Sequence, residues 1–282
     1  MYCECHGHII LDGVSYAGAV ERHRHTTDEA FIRQNLRTCA DHGIVYYRDG
    51  GDKYGVSVLA RQIAYEYGID YRTPVYIIHK EGHYGNMFGR AFCDIHDYRI
   101  LVAEAKDAGA DFIKTTASGM LDFRNNGAVT HSSLTESELC EMVNIAHGEG
   151  LAVMIHANGS DNIKRVVSAN ADSVEHGFYV DSNTLQIMKE THTVWVPTCV
   201  TVAGLIGLGR YDDKLLRSIL EGHKSALVEA SAIGVTIACG SDAGAVGVPQ
   251  GLGTLNEKSL LSELGIDSGQ GNHAIMQIFK RQ

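Results

Sequence analysis

Residues 135–159 read TESELCEMVNIAHGEGLAVMIHANG, which is a helix signal followed directly by a strand signal. Thr135, with Glu138 three residues later, forms a capping box, so we predict that a helix begins there. Gly150 is a typical helix stop, and the apolar run after it reaches His156. A helix that leads into an apolar strand is the repeating unit of α/β proteins with parallel sheets.

The same alternation extends along nearly the whole chain in both directions. Eight strand candidates are separated by seven helical stretches. The strands start near Tyr2, Ile44, Pro74, Ala110, Leu151, Asp172, Thr193 and Gly234. Because eight βα units in roughly 250 residues are the size of a (β/α)8 barrel, we predict an α/β protein with a TIM-barrel fold and a single domain over residues 1–282. A doubly wound sheet is the alternative, although no glycine-rich phosphate loop follows the first strand.

The composition narrows the class of partner. The chain has 282 residues with 24 basic and 34 acidic side chains, a formal charge of −10. This balance argues against nucleic acid or an anionic membrane surface as a partner, and no apolar run approaches the roughly 20 residues that span a bilayer. The N-terminus lacks the layout of a signal peptide, and seven cysteines are an odd number for a disulfide framework. We therefore expect a cytoplasmic protein that acts on a small molecule, and the sequence leaves open whether it forms a homo-oligomer.

Residue types that bind metals fall at the predicted strand ends, where barrel enzymes keep their chemistry. They are His6 and His8 on strand one, Lys114 on strand four, His156 on strand five, His176 on strand six and Asp242 on strand eight. His6 and His8 are two positions apart, so both side chains face the same way along a strand. Neutral imidazoles and a carboxylate that converge on one rim make a site for a divalent metal ion.

Each of these residues also has an ordinary structural interpretation. A single strand-end histidine is more often a hydrogen-bonded core residue than a ligand, and an aspartate after a strand usually forms a turn. A lysine in a strand usually lies along the surface with its stem on the sheet. His23 and His25 repeat the spacing of the first pair within a charged loop, so this spacing alone is weak. The occurrence of ligand types at five separate strand ends favours the metal site.

Four local motifs accompany these residues: DFIKTTASG around Lys114, VMIHANG around His156, SVEHG around His176 and GSDAG around Asp242. In this order, after the His-x-His of strand one, they resemble the amidohydrolase superfamily, and within it the prolidase-like and imidazolonepropionase-like branch. The resemblance covers residues 3–244 and implies a barrel that hydrolyses an amide (C–N) bond in a dipeptide, an N-acyl amino acid or a cyclic amide. Such relatives carry a small β-sandwich domain built from both chain ends. Here the first metal motif begins at His6, so we expect a barrel without that domain.

The resemblance also implies two divalent metal ions. The buried ion would be held by His6, His8 and Asp242, the more exposed one by His156 and His176, and a carbamylated Lys114 would bridge them. The ions would share a hydroxide that attacks the carbonyl, and Asp242 would carry its proton to the leaving nitrogen. Only a neutral amine reacts with carbon dioxide, so burial beside cations would favour the carbamate on Lys114. Zinc suits these ligands best, and manganese, cobalt and iron are alternatives.

Substrate contacts are expected from the loops over the same rim. The candidates are His83, Tyr84 and Arg90 after strand three, and Arg124 and His131 after strand four. Their cationic and hydrogen-bonding groups could hold the carboxylate of an amino-acid-like substrate. An ordinary surface role is equally open for each of them.

Other functions stay open beside this one. A lactonase or phosphotriesterase-like hydrolase would use the same lysine bridge in a barrel. A mononuclear deaminase of the same superfamily would lack the strand-four lysine and carry a glutamate shortly after the strand-five histidine, where this chain has Asn158 and Gly159. A catalytically silent barrel scaffold would have lost at least one ligand, whereas all six positions hold competent residues. A dinucleotide-binding oxidoreductase is disfavoured because no G-x-G-x-x-G lies between the first strand and the first helix.

Overall fold

The computed structural model describes residues 1–281, in which parallel strands alternate with helices. The strands are β1 (Tyr2–Gly7), β2 (Ile44–Asp49), β3 (Asp70–Arg72), β4 (Ile77–Lys80), β5 (Gly89–Phe92), β6 (Ile113–Thr116), β7 (Val153–Ala157), β8 (Ser173–His176) and β9 (Val194–Val196). The helices are α1 (Tyr16–His23), α2 (Glu29–Asp41), α3 (Val56–Ile63), α4 (Ile95–Asp107), α5 (Glu136–Gly148), α6 (Ser160–Ser168), α7 (Ser182–Glu190), α8 (Val200–Ala203), α9 (Asp213–Ile233), α10 (Leu252–Glu263) and α11 (Gly269–Ile278). A short 3₁₀ helix at Ala64–Tyr67 extends α3. The predicted α/β class is confirmed.

Local sequence signals set several helix ends. The carboxylate of Asp28 caps α2 by accepting a hydrogen bond from the amide of Phe31. Thr135 and Glu138 cap α5 reciprocally, which confirms the predicted capping box. The carboxylate of Asp212 caps α9, the longest helix among the described residues, by accepting a hydrogen bond from the amide of Lys214. These side chains satisfy amides that have no partner within their helices.

The strands form two parallel sheets, ordered β1-β2-β3 and β5-β4-β6-β7-β8-β9. The two sheets part between β3 and β4, and β3 lies before the third predicted strand, which starts near Pro74. Pro74 lies in the gap and has no amide hydrogen to give to a ladder, and Val75 next to it has a φ of 67°. The strand predicted near Pro74 therefore begins only at Ile77.

Residues 236–242 lie between β9 and β1. The amide of Ala238 donates to the carbonyl of Trp195 at 2.9 Å, and the amide of Cys5 donates to the carbonyl of Cys239 at 3.0 Å. These bonds connect the last strand of the larger sheet with the first strand of the smaller one. The fold is therefore TIM-barrel-like.

The prediction of a regular eighth strand from Gly234 is wrong, because this segment forms only isolated bridges within residues 1–281. A Cβ atom at Gly240 would lie 2.7 Å from the amide nitrogen of His6, so the two segments approach more closely than side chains allow. Asp242 then turns away from the extended conformation with a φ of 58°. The close approach and the turn interrupt the ladder and bring Asp242 beside the end of β1.

Apolar side chains pack on both faces of the strands. One cluster joins strand residues such as Val153 and Trp195 to the surrounding helices. Another joins Met154 and Val196, on the opposite strand faces, to Phe279 just after α11. The polar ends of the strands lie beyond these layers. Over residues 1–281, none of the helices is long and apolar enough to cross a membrane.

Candidate active site

Three predicted ligands from distant parts of the chain lie together beyond the end of β1. Asp242 Oδ1 is 3.4 Å from His8 Nε2 and 3.8 Å from His6 Nε2. One ligand atom from each residue lies within 4.8 Å of the other two, so all three can reach a single metal ion. Burial raises the pKa of Asp242 to about 7, and the nearby Lys114 opposes this shift.

The other predicted ligands continue this cluster. The ring centroids of His156 and His176 are 4.5 Å apart, and that of His176 is 4.9 Å from His6. Lys114 is 2% exposed and lines one cavity together with the four histidines and Asp242. Its Nζ has no hydrogen-bond partner among the described residues. The structure brings all six side chains to one end of the sheets, and their roles as ligands stay predictions.

Burial keeps the four imidazoles of this cluster in their neutral forms at pH 7. It lowers the pKa of His8 and of His156 to about 3, and it lowers the pKa of His6 and of His176 well below the usual range. Burial also lowers the pKa of Lys114 to about 8. Neutral imidazole is the form that binds metals, so the donor set fits divalent ions.

A buried ion pair orients His6. The Nδ1 atom of His6 lies 2.7 Å from Glu175 Oε2, and Arg48 donates to both oxygens of the same carboxylate at 2.9 and 3.0 Å. Arg48 and Glu175 are fully buried. A carboxylate that accepts from Nδ1 leaves Nε2 of His6 unprotonated and directed at Asp242, as in known carboxylate–histidine–metal arrangements.

Two further hydrogen bonds orient the remaining histidines. His176 Nδ1 lies 2.8 Å from the hydroxyl of Thr198, and His156 Nε2 lies 3.0 Å from the carbonyl oxygen of Gly119. Each bond occupies one nitrogen of its ring. The atoms left for a metal ion are therefore Nε2 of His176 and Nδ1 of His156.

Sequence reasoning missed Glu175, Arg48 and Thr198. Strand alternation predicts that Glu175 and His176 face opposite ways, so only one of them is expected at the site. In the structure His176 has a φ of 67°, which turns its side chain out of the alternation. Thr198 and Asp242 also have a positive φ, and such backbone strain is concentrated at functional sites. A glutamate beside a candidate ligand in an apolar strand is the signal that could have found Glu175.

Two cavities, of about 560 and 540 Å³, adjoin the cluster and are called here cavity one and cavity two. Their shared walls contain Tyr16, Tyr84, Met120, His156, His176 and Asp242. His156, His176 and Asp242 thus lie where the two cavities meet, and His6, His8 and Lys114 line cavity two alone. Volumes of this size accommodate small-molecule substrates.

Four of the predicted substrate contacts line these cavities. His83 and His131 line cavity two, Arg124 lines cavity one, and Tyr84 lines both. The ring of Tyr84 lies 4.8 Å from that of His156. Contact with a substrate stays a prediction for all four.

Arg90 lies apart from this group. It is absent from both cavity walls and forms an ion pair with Glu104 at 2.6 Å. The structure therefore does not bring Arg90 to the cavities with the other four candidates. Glu104 lies on α4, so this ion pair joins β5 to α4.

Solved structures share the fold over almost the entire chain. A Xaa-Pro dipeptidase with bound methionine matches 99% of this chain and 74% of its own, with a TM-score of 0.77 at 21% identity. A prolidase complexed with N-methylphosphonate-L-proline matches 99% of this chain and 74% of its own, with a TM-score of 0.78 at 19% identity. Ochratoxinase from Aspergillus niger matches 97% of this chain and 68% of its own, with a TM-score of 0.74 at 22% identity.

The sequence comparisons agree with the structural ones. Ochratoxinase from Aspergillus niger is 30% identical over 139 residues, which are 48% of this chain and 29% of ochratoxinase. This alignment thus spans less than a third of the curated relative. The model of the amidohydrolase family matches residues 16–280. A match over nearly all of the sequence, together with the shared fold, shows that this chain belongs to the amidohydrolase family.

Proposed function

We propose that this protein is a metal-dependent hydrolase that cleaves an amide (C–N) bond of a small substrate within a (β/α)8 barrel. The observation that carries the proposal is the convergence of His6 Nε2, His8 Nε2 and Asp242 Oδ1 in the wall of cavity two, where Asp242 also borders cavity one. Membership of the amidohydrolase family and the fold shared with prolidases and ochratoxinase support the same reaction class.

The donor set supports a binuclear centre. We assign one ion to His6, His8 and Asp242 and a second ion to His156 and His176. Lys114, carbamylated at Nζ, would bridge the two. Burial lowers the pKa of this amine, which favours the neutral form that reacts with carbon dioxide. The amine has no hydrogen-bond partner among the described residues, so ligation would supply the partner that the buried Nζ lacks. When bound, two divalent ions such as zinc polarise a carbonyl and lower the pKa of water toward neutrality.

The chain's own groups would position and move the proton. Asp242 lies at the junction of the cavities, where its carboxylate would take the proton of the attacking water and deliver it to the leaving nitrogen. Glu175 accepts from Nδ1 of His6, so the free Nε2 of this ring would be taken up by the metal ion and Asp242 would be left to carry the proton. His83, Tyr84, Arg124 and His131 would hold the substrate from the loops above.

The test is metal content and hydrolysis measured on the same preparations. Protein expressed with zinc and bicarbonate should carry close to two metal ions per chain and release amines from dipeptides or N-acyl amino acids. The Lys114→Ala variant should lose the second ion and the hydrolysis, whereas Lys189→Ala, an exposed lysine on α7, should keep both. Full activity and full metal content in Lys114→Ala would contradict the proposal. One ion per chain together with ammonia release from an aminated ring would favour a deaminase instead.

A further inference from the structure

Three of the four candidate histidine ligands have a hydrogen bond at one ring nitrogen. These bonds join His6, His156 and His176 to a carboxylate, a carbonyl and a hydroxyl group. His8 differs from the other three. Its Nε2 lies 3.4 Å from Asp242 Oδ1, and its Nδ1 is buried without a hydrogen-bond partner among the described residues. The orientation of the His8 ring therefore has to come from packing.

The ring of His8 lies against Gly50, a buried residue that directly follows β2. A Cβ atom at Gly50 would lie 2.6 Å from Nε2 and 2.7 Å from Nδ1 of His8, so the imidazole occupies the space where a side chain would begin. The three heavy atoms nearest to that Cβ all belong to His8. The backbone of Gly50 has no positive φ, so other residues could adopt its conformation. The missing side chain at Gly50 therefore serves the His8 ring and not the local backbone.

The backbone on both sides of His8 is hydrogen-bonded to the same loop. The amide of Gly50 donates to the carbonyl oxygen of Gly7 at 2.7 Å. The carboxylate of Asp49, which is buried, accepts from the amide of Ile9 at 2.9 Å. These bonds fix the loop after β2 against the end of β1, so neither segment can move aside without breaking them. The contact between Gly50 and the His8 ring is thus held from both partners.

We infer that Gly50 is a positioning residue: by contact alone, it holds the imidazole of His8 in the orientation that presents Nε2 to a metal ion shared with Asp242. The inference rests on the proposed metal-dependent function. A hydrogen bond acts on one atom of a ring, whereas close packing against a fixed backbone restricts rotation about both side-chain torsions. A side chain at residue 50 would occupy the space of the ring and displace it from this orientation.

The first test is a double-mutant cycle read by denaturant unfolding, with a chelator present so that metal binding does not contribute to stability. Gly50→Ala should lower the midpoint of unfolding, because the added methyl group overlaps the His8 ring. In the His8→Ala background the ring is gone, so Gly50→Ala should leave the midpoint unchanged or raise it. An equal fall in both backgrounds would overturn the inference. If Gly50→Ala alone does not fold, a folded double variant supports the inference and an unfolded one overturns it.

The second test is zinc affinity, measured by chelator competition on the full-length protein. Gly50→Ala should weaken the binding of the ion assigned to His8 roughly 10- to 100-fold, the range for losing a group that orients a histidine ligand. The visible absorption of the cobalt-loaded protein should change as well, because it depends on the coordination geometry of the ion. Wild-type zinc affinity or an unchanged cobalt spectrum in Gly50→Ala would each overturn the positioning role.

Gly51→Ala is the matched control, because a Cβ atom there would meet Pro74 and Tyr76 and not His8. It adds the same methyl group to the same loop, and the φ of 82° at Gly51 strains any other residue, so this variant should also be destabilised. Its midpoint of unfolding should fall alike with and without the His8 ring, and its zinc affinity should equal that of the wild type. Equal loss of zinc affinity in Gly50→Ala and Gly51→Ala would overturn the inference, since general disruption would explain both.

The two tests separate this inference from the proposed function. If the wild type binds no zinc, the proposed function fails, and the unfolding cycle still decides whether Gly50 sets the orientation of His8. If the wild type binds zinc and hydrolyses amides while the cycle shows no coupling between residues 8 and 50, the positioning role of Gly50 fails alone.

Discussion

His6 Nδ1 lies 2.7 Å from Glu175 Oε2 in a part of the fold where both side chains are almost completely buried. The contact joins β1 to β8, two strands from different sheets. It also couples the proposed metal centre to a structural ion pair, because Arg48 holds the same carboxylate. A change at Glu175 is therefore expected to affect metal binding and folding by separate routes.

Glu175→Gln should weaken metal binding about 10- to 100-fold, which is typical of losing a carboxylate behind a histidine ligand. It should also lower the free energy of unfolding by about 3–5 kcal/mol, because Arg48 becomes a buried charge without a counter-ion. Chelator competition and denaturant unfolding measure the two effects. Adding Arg48→Met should recover most of the stability and none of the metal affinity. Glu141→Gln, at an exposed position on α5, should change neither quantity, and wild-type metal affinity in Glu175→Gln would contradict the role given to Glu175.

Asp242→Asn should retain most of its metal and lose roughly 100-fold or more of kcat, since an amide cannot accept the proton that the carboxylate would carry. Steady-state kinetics together with elemental analysis of the same sample measures both quantities. Asp107→Asn removes a carboxylate from the exposed end of α4 and should leave the rate unchanged. A fully active Asp242→Asn enzyme would exclude Asp242 as the proton carrier.

The helix ends and the candidate ligands could be predicted from the sequence because each depends on local chemistry. Thr135 and Glu138 interact within one helical turn, and a histidine at the end of an apolar strand is conspicuous. The position of Glu175 at the site could not be predicted, because its orientation relative to His176 depends on the positive φ of His176. Thr198 could not be predicted from the sequence either, since only the folded chain brings its hydroxyl within 2.8 Å of His176 Nδ1.

The irregular parts of the sheet have a similar explanation. Alternation and apolar runs predict strands, whereas the gap at Pro74 and the bridges near Gly240 depend on contacts with other segments. At Gly240 the backbone of His6 lies where a side chain would otherwise be, and no local sequence pattern reveals this contact. The sequence therefore predicts the order of strands better than the continuity of their ladders.

Glu257→Gln should change how stability depends on pH. Glu257 is completely buried and accepts hydrogen bonds from the amides of Cys199 and Val200, and burial raises its pKa from 4.5 to about 7. Between these values the folded protein keeps a proton that the unfolded chain has released, so the free energy of unfolding falls as the pH rises. The loss is about 3 kcal/mol at ~1.4 kcal/mol per pH unit.

Denaturant unfolding at pH 5 and pH 8 checks this expectation. The stability of the wild type relative to Glu257→Gln should fall by up to about 3 kcal/mol from the lower to the higher pH, because the amide cannot ionise. Glu263→Gln, on the exposed side of the same helix, should have the same free energy of unfolding as the wild type at pH 5 and at pH 8. If the difference in free energy of unfolding between wild type and Glu257→Gln were the same at pH 5 and pH 8, the carboxyl group of Glu257 would not titrate between these pH values.

Gly271→Ala should destabilise the protein by about 1–3 kcal/mol, the usual cost of overpacking. A Cβ atom at Gly271 would overlap the carbonyl oxygen of Ile237 and lie 2.7 Å from the amide nitrogen of Ala238, so α11 would have to move away from the segment between β9 and β1. Gly222→Ala in α9 is the matched control, because no atom lies within 4 Å of the added methyl group. There the substitution should stabilise the protein by about 0.5–1 kcal/mol through helix propensity alone. Denaturant unfolding of both variants measures the contrast, and equal stabilisation in the two would mean that α11 does not pack against this segment.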